Sequence, residues 1–373
     1  MRLRILSIIV ILLTFSACQE KENVIKVGVF NRNGDSPWCI KDAVEACKID
    51  PQIKVEIVSA AEIMSGSIDD YDVILFPGGG GTSETNSLGN KGLQKVKDMV
   101  LKEGKGIVGI CAGAYILSET PNYTCFALSG GEAIDIEHDH RGNGLAKFTL
   151  TKEGKEIFPE LANQDTLFCQ YYEGPVLVPA KKSAYKYTSL ATMESDVHII
   201  DGTPANMTNN KPFVIMTECG KGRVASFVGH PECTPGMRWM IPRLIRWTIK
   251  KELISYNKGV VRPHIYKKEI LYTKAQKVEM NKYYKNLKGN KQEVIMAIDE
   301  IIKMSPWSAK KWMEGLLRHD DADVRMAAGD AVVRLERTDA IPDLEAAMYV
   351  EKEIEVRGAL ERNLISLKKM INK

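Results

Sequence analysis

Lys105-Gly106-Ile107-Val108-Gly109-Ile110-Cys111-Ala112-Gly113-Ala114-Tyr115 is the stretch that decides how the chain folds. Its apolar run, Ile107, Val108 and Ile110, reads as a buried strand, and small residues follow at once. Gly109-Ile110-Cys111-Ala112-Gly113 has the form Gly-x-Cys-x-Gly, the cysteine version of a nucleophile elbow. In such an elbow a sharp strand-to-helix turn pushes one side chain into the open. Glycine is needed on both sides because a Cβ would crowd the neighbouring strand or helix. The turn also sets the thiol at a helix N-terminus, where backbone N–H groups favour negative charge.

Outward from the elbow, short strands alternate with helical stretches. Ile25–Phe30, Val55–Val58 and Val73–Phe76 read as strands, and Ser36-Pro37 opens a helix through Cys47. The third strand runs into Pro77-Gly78-Gly79-Gly80-Gly81-Thr82-Ser83, and a helix from about Lys91 to Lys102 leads to the elbow strand. This alternation predicts an α/β fold with a doubly wound, mostly parallel sheet, its ligands beyond the strand C-termini. The four-glycine loop and Cys111 both fall at such ends and should face one crevice. The loop lacks the Gly-Lys-Ser/Thr ending of a phosphate cradle, so an oxyanion site is the better account. Its N–H groups, with that of Ala112, would stabilise a tetrahedral intermediate.

From Asn122 to Asn210 antiparallel pieces are expected at Phe148–Leu150, Leu167–Cys169, Val176–Val178 and Tyr185–Leu190. Glu137-His138-Asp139-His140-Arg141-Gly142 sets two histidines on one side if extended, but no third metal ligand stands at a suitable spacing. No metal and no cofactor is therefore expected. Arg141 is a candidate for recognising a substrate carboxylate. Gln170-Tyr171-Tyr172-Glu173-Gly174-Pro175 is an aromatic-acidic turn that offers Tyr172 and Glu173, with Tyr115, as pocket candidates. A hairpin, Pro212–Glu218 and Arg223–Val228, ends in Gly229-His230-Pro231-Glu232. His230 and Glu232 sit two apart, so in extended backbone the carboxylate can orient the imidazole while its other nitrogen meets a thiol.

These residues resemble the class I glutamine amidotransferase-like superfamily with its flavodoxin-like fold. More closely they resemble the amidotransferase-like domain at the N-terminus of biotin–protein ligases. The matching pieces are Pro77-Gly78-Gly79-Gly80, Gly109 to Tyr115, Tyr171 to Pro175, and Gly220-Lys221-Gly222-Arg223-Val224 leading to His230-Pro231-Glu232. The resemblance implies Cys111 as nucleophile, His230 as base and Glu232 as its orienter, with Gly79, Gly80 and Ala112 supplying oxyanion N–H groups. No Gly-Arg-Gly-Arg biotin-binding motif is present, so biotinylation is not implied. A hydrolase acting on a small amide or γ-glutamyl-type bond fits the site, and a non-catalytic binding module on the same fold is the alternative.

The ends of the chain carry separate signals. Arg2 and Arg4 precede an apolar run, Ile5 to Phe15, that is too short to span a bilayer as a stop-transfer helix. Phe15-Ser16-Ala17-Cys18 resembles the lipobox of bacterial lipoproteins, with phenylalanine where leucine is usual. It implies residues 1–18 as a signal peptide and a lipid anchor on Cys18; a plain secretory signal cut near Ala17 is the alternative. Either way an exported protein of the bacterial cell envelope is expected. Of eight cysteines, the seven beyond Cys18 show no CxxC pair and no disulfide framework.

The amidotransferase-like domain is expected over residues 24–252, with a helix from Met240 to Ile254, and a basic, tyrosine-bearing linker over 253–290. Residues 291–373 read as helical. Asp323-Val324-Arg325-Met326-Ala327-Ala328 returns as Glu355-Val356-Arg357-Gly358-Ala359-Leu360, an offset of 32 residues from 323 to 355. This resembles HEAT-type repeats, a short stack of four or five helices with a surface for a protein partner. A net charge of +3 gives no global argument for nucleic acid.

Overall fold

A computed structural model describes residues 24–32, 37–200, 202–304 and 310–371. The expected signal peptide, the Cys18 anchor and the Ser36 cap lie outside these residues. The first half winds as β1 (Ile25–Phe30), α1 (Pro37–Cys47), β2 (Ile53–Val58), α2 (Ala60–Ser65), β3 (Val73–Phe76), α3 (Gly81–Leu101), β4 (Gly106–Ile110) and α4 (Ala112–Leu117). There follow β5 (Gly131–Ala133), β6 (Asn143–Leu150), α5 (Lys152–Ile157), β7 (Leu167–Tyr172), β8 (Leu177–Pro179), β9 (Thr188–Met193), β10 (Lys211–Cys219), β11 (Gly222–Phe227) and α6 (Met240–Thr248).

Ten strands form the main sheet, in the order β12-β6-β9-β10-β11-β4-β3-β1-β2 with β7 on β6, where β12 is Ile270–Leu271. The stretch β2-β1-β3-β4-β11 is parallel, and the rest is antiparallel. Strands β1, β3 and β4 are apolar nearly throughout because helices cover both faces. Val73 and Leu75 feed one core, with α1 and α6, while Ile74 and Phe76 feed the other, with α3 and α4. The elbow strand β4 is central, flanked by β3 and β11, so the glycine loop, Cys111 and the segment after β11 emerge side by side.

Several boundaries differ from expectation. Helix α3 starts at Gly81 rather than near Lys91, with a break at Gly89 (φ 57°, ψ 178°). Helix α6 ends at Thr248, not Ile254, and Lys250 follows in the left-handed region. The stretch 253–290 is not a linker in the sense expected. It adds β12 to the edge of the sheet, paired with Gly144 and Leu145, and contains the 13-residue helix α7 (Lys274–Asn286).

Beyond it lie α8 (Lys291–Met304), α9 (Lys310–Leu316), α10 (Ala322–Arg334), α11 (Ile341–Val350) and α12 (Ile354–Lys368). The repeat-related helices α10 and α12 pack on each other, and the helical core merges with that of the sheet. The turn after α10 docks on α1. Arg337, 2% exposed, donates to Asp42 (3.0 Å), Glu314 (2.9 Å) and Asp339 (2.5 Å), and Thr338 donates to Glu45 (2.6 Å). Glu336 accepts from Gly236 N–H (2.8 Å) and from Arg262, while the Glu336 carbonyl accepts from Arg238. The cysteines at 39, 47, 111, 125, 169, 219 and 233 are all reduced.

Candidate active site

Cys111 sits between β4 and α4 at φ 52°, ψ −102°, a conformation that costs a non-glycine residue about 1–3 kcal/mol. The surroundings hold it there. Its N–H donates to the Phe227 carbonyl of β11 (2.8 Å), and its carbonyl accepts from Tyr115 N–H (3.1 Å). Gly113 is required by close approach, since a Cβ there would lie 2.1 Å from the Phe76 carbonyl oxygen. Its N–H donates to Pro77 O (3.2 Å), fastening the elbow to the root of the glycine loop. The thiol is 7% exposed and donates to the Tyr172 carbonyl (3.3 Å).

His230 arrives from the segment after β11. Its N–H donates to the Gln170 carbonyl on β7 (2.7 Å), and its own carbonyl accepts from the Thr234 hydroxyl (2.7 Å). That hydroxyl in turn accepts from Gln170 N–H (2.9 Å), so β7 clamps the loop on both sides. The imidazole Nδ1 lies 2.7 Å from Glu232 Oε1, which leaves Nε2 for the other side of the ring, where Cys111 is near enough to act on the imidazole electrostatically. His230 and Glu232 are 1% and 0% exposed. Burial alone would lower the imidazole pKa. The charge of Glu232, then that of Cys111, reverse this and raise it from 6.5 to about 10.

The glycine loop passes directly over the imidazole: a Cβ on Gly78 would lie 2.7 Å from His230 Cε1. Gly78 is buried, whereas Gly79 (φ 142°) and Gly80 are exposed. Gly80 and Ala112 stand immediately before α3 and at the first residue of α4, so their N–H groups belong to helix starts. The Cys-His-Glu set and the three oxyanion candidates are thus brought to one place.

The pocket candidates divide. Tyr172 is 46% exposed, and Glu173 beside it, at φ 54°, pairs with the exposed His140 (3.1 Å). These three mark the rim. Tyr115 and Arg141 instead point inward. Arg141 is 0% exposed; it pairs with Asp135 (2.7 Å) and donates to Tyr171 Oη (2.7 Å), to the His138 carbonyl (2.8 Å) and to the Gly174 carbonyl. Its guanidinium is spent on the protein, which corrects its assignment as a carboxylate receptor. Tyr115 donates to the same Asp135, whose Oδ1 accepts from Val176 N–H (2.9 Å). Burial, then the Asp135 charge, holds the Tyr115 hydroxyl well above the usual range. His138 ends a 3-10 turn rather than lying on a strand, so the expected same-side histidine pair is not formed.

Asp135, Tyr171, Gln170 and Thr234 are the supporting residues that sequence reasoning missed. Strand alternation beside an outward Tyr172 was a usable signal for an inward Tyr171. Asp135 and Thr234 carry no local signal.

A model of the DJ-1/PfpI family matches residues 8–126, which include the glycine loop and the elbow and stop short of His230. Phosphoribosylformylglycinamidine synthase subunit PurQ of Methanococcus maripaludis (strain C7 / ATCC BAA-1331) is 24% identical over 201 residues, covering 48% of this chain and 72% of the relative. Among solved structures, a ThuA-like protein of Parabacteroides merdae ATCC 43184 aligns with a TM-score of 0.45 at 12% identity, covering 63% of this chain and 94% of that one. The glutaminase domain of Trypanosoma brucei CTPS aligns with a TM-score of 0.39 at 12% identity, covering 63% and 97%. The DJ-1/PfpI match and the sheet topology together give the chain a flavodoxin-like, class I glutamine amidotransferase-like fold, followed by a helical region.

Proposed function

We propose that the chain is a cysteine hydrolase that cleaves a small amide or γ-glutamyl-type bond through a thioester. One observation carries this reading: the buried imidazole of His230 stands between Glu232, 2.7 Å from its Nδ1, and Cys111, whose charge acts on it. Cys111 Sγ attacks the carbonyl carbon as the thiolate, the proton it has given up being held on His230 Nε2. Negative charge on the carbonyl oxygen meets the N–H groups of Gly79, Gly80 and Ala112. His230 then protonates the leaving amine, and a water activated by the same nitrogen releases the acid. Glu232 keeps Nδ1–H engaged and supports the imidazolium throughout. The name of one relative fits such a site, the PurQ subunit of a phosphoribosylformylglycinamidine synthase. Incubation with an electrophilic glutamine analogue followed by peptide mass spectrometry should place the adduct on Cys111. An unmodified Cys111, under conditions where iodoacetamide labels it, would sink the reading.

A non-catalytic binding module is favoured by one feature, the thiol turned to the Tyr172 carbonyl and only 7% exposed. In that case the HEAT-like helices are the surface for a protein partner, and Cys111→Ser leaves pull-down of that partner unchanged. Kinship to the biotin–protein ligase N-terminal domain, export, and a lipid anchor on Cys18 complete the proposal. Among the described residues no helix is long and apolar enough to cross a membrane. Metabolic labelling with a fatty acid, abolished by Cys18→Ala, tests the anchor.

A further inference from the structure

The His230 loop carries one donor more than hydrolysis requires. Cys233 closes the 3-10 turn Pro231–Cys233, is 2% exposed, and turns its Sγ back towards the His230 carbonyl (3.5 Å). One ligand atom from each of His230, Glu232 and Cys233 lies within 4.8 Å of the others. An imidazole nitrogen, a carboxylate oxygen and a thiolate are the mixed donor set that zinc accepts, whereas magnesium and calcium take oxygen alone. Zinc bonds of about 2.0–2.3 Å place neighbouring ligand atoms about 3.3–3.7 Å apart. The His230–Glu232 pair, now 2.7 Å apart, has to open by about 0.6 Å, and Cys233 has to close in by at most about 1.5 Å, both within the reach of side-chain rotation in a loop.

We propose that His230, Glu232 and Cys233 form a site for a thiophilic divalent cation, zinc above all, that takes the base of Cys111 out of action. The ion displaces the Nδ1 proton held between the imidazole and Glu232 to solvent and leaves Nε2 protonated, so that the ring cannot accept another proton, while Cys233 also loses its thiol proton to solvent. No electrons move. Because the ion competes with protons for all three ligands, its affinity falls as pH falls. Cys111 is not a ligand. It loses its proton acceptor instead. The site is distinct from the half-buried His138 and the exposed His140, which the sequence offers without a third ligand. The inhibitory consequence rests on His230 being the base; the metal site itself does not.

Zinc chloride titrated against a chromophoric chelator, on the full chain carrying His138→Ala and His140→Ala, reads the affinity. Iodoacetamide labelling of Cys111, followed by mass spectrometry with and without zinc, reads the coupling. In that background Cys111→Ser is expected to bind one zinc as tightly as its parent, while Cys233→Ala and the more conservative Cys233→Ser bind roughly tenfold or more weakly. Zinc should slow Cys111 labelling in the parent, and the ratio of rates with and without zinc should return to about one in both Cys233 variants. Unchanged affinity in both Cys233 variants overturns the proposal, as does loss of binding in Cys111→Ser. Zinc bound through Cys233 with Cys111 labelling unaltered leaves the metal site standing and overturns its hold on the base.

Discussion

Replacing Glu232 by glutamine changes the charge at the site and little else. The amide is close to the carboxylate in size, and its oxygen can still accept from His230 Nδ1–H across the present 2.7 Å. What disappears is a negative charge buried beside the imidazole. Burial alone lowers the His230 pKa, and Glu232 is the largest influence raising it towards about 10. A pKa raised in the folded state contributes stability fully below the unfolded value near 6.5 and loses it as pH climbs towards 10. At about 1.4 kcal/mol per pH unit, that span corresponds to a few kcal/mol. Glu232→Gln should therefore unfold more easily than the parent by a few kcal/mol near pH 6, with the gap narrowing steadily towards pH 10. The variant imidazole should be neutral at pH 7, and the Cys111-dependent rate should drop by about 10²–10⁴-fold. Imidazole NMR, with His230 assigned by its loss in His230→Asn, follows the titration, and urea denaturation at several pH values follows the stability. A His230 midpoint that is the same in both proteins, or a stability gap that does not vary with pH, would refute the reasoning.

Other perturbations probe neighbouring parts of the site. Gly78→Ala puts a Cβ 2.7 Å from His230 Cε1, so the ring must shift; Cys111 labelling should slow by about 10²-fold while circular dichroism stays that of the parent. Asp135→Asn leaves Arg141 buried without its counter-charge and should cost about 3–5 kcal/mol in denaturant unfolding. Arg337→Leu removes the buried guanidinium that pairs with Asp42, Glu314 and Asp339, and a loss of about 3–5 kcal/mol is expected by the same measurement.

The parallel half of the sheet was legible because β1, β3 and β4 are short apolar runs that end in glycine-rich or elbow sequences. The first half of α3 was not. Gly81, Gly89 and Gly92 are poor helix formers, and packing of Leu88, Glu84 and Thr85 sustains the helix where propensity does not. In the basic stretch 253–290 the sequence does hold a helix signal, since Thr273 and Gln276 form a capping box that opens α7. Strand β12 is two residues among lysines, recognisable only through its pairing with β6. At the site, Cys111, His230 and Glu232 carried motif spacing. Arg141 and Tyr115 were read as reaching outward because a sequence gives residue type without direction. Their partner Asp135 stands in a loop whose place is set by the fold.

The turn Glu336–Asp339 has a bearing on how the molecule can be dissected. Its charged side chains are buried against α1 and the segment after the His230 loop, and the two apolar cores are continuous across it. Truncation before residue 291 would take Arg337 from Asp42, Thr338 from Glu45 and the Glu336 carbonyl from Arg238. The amidotransferase-like part and the helices should therefore melt in one cooperative transition rather than two. A ligand that stiffens α1 or the His230 loop would then raise the melting temperature of the helices as well, although it touches none of them.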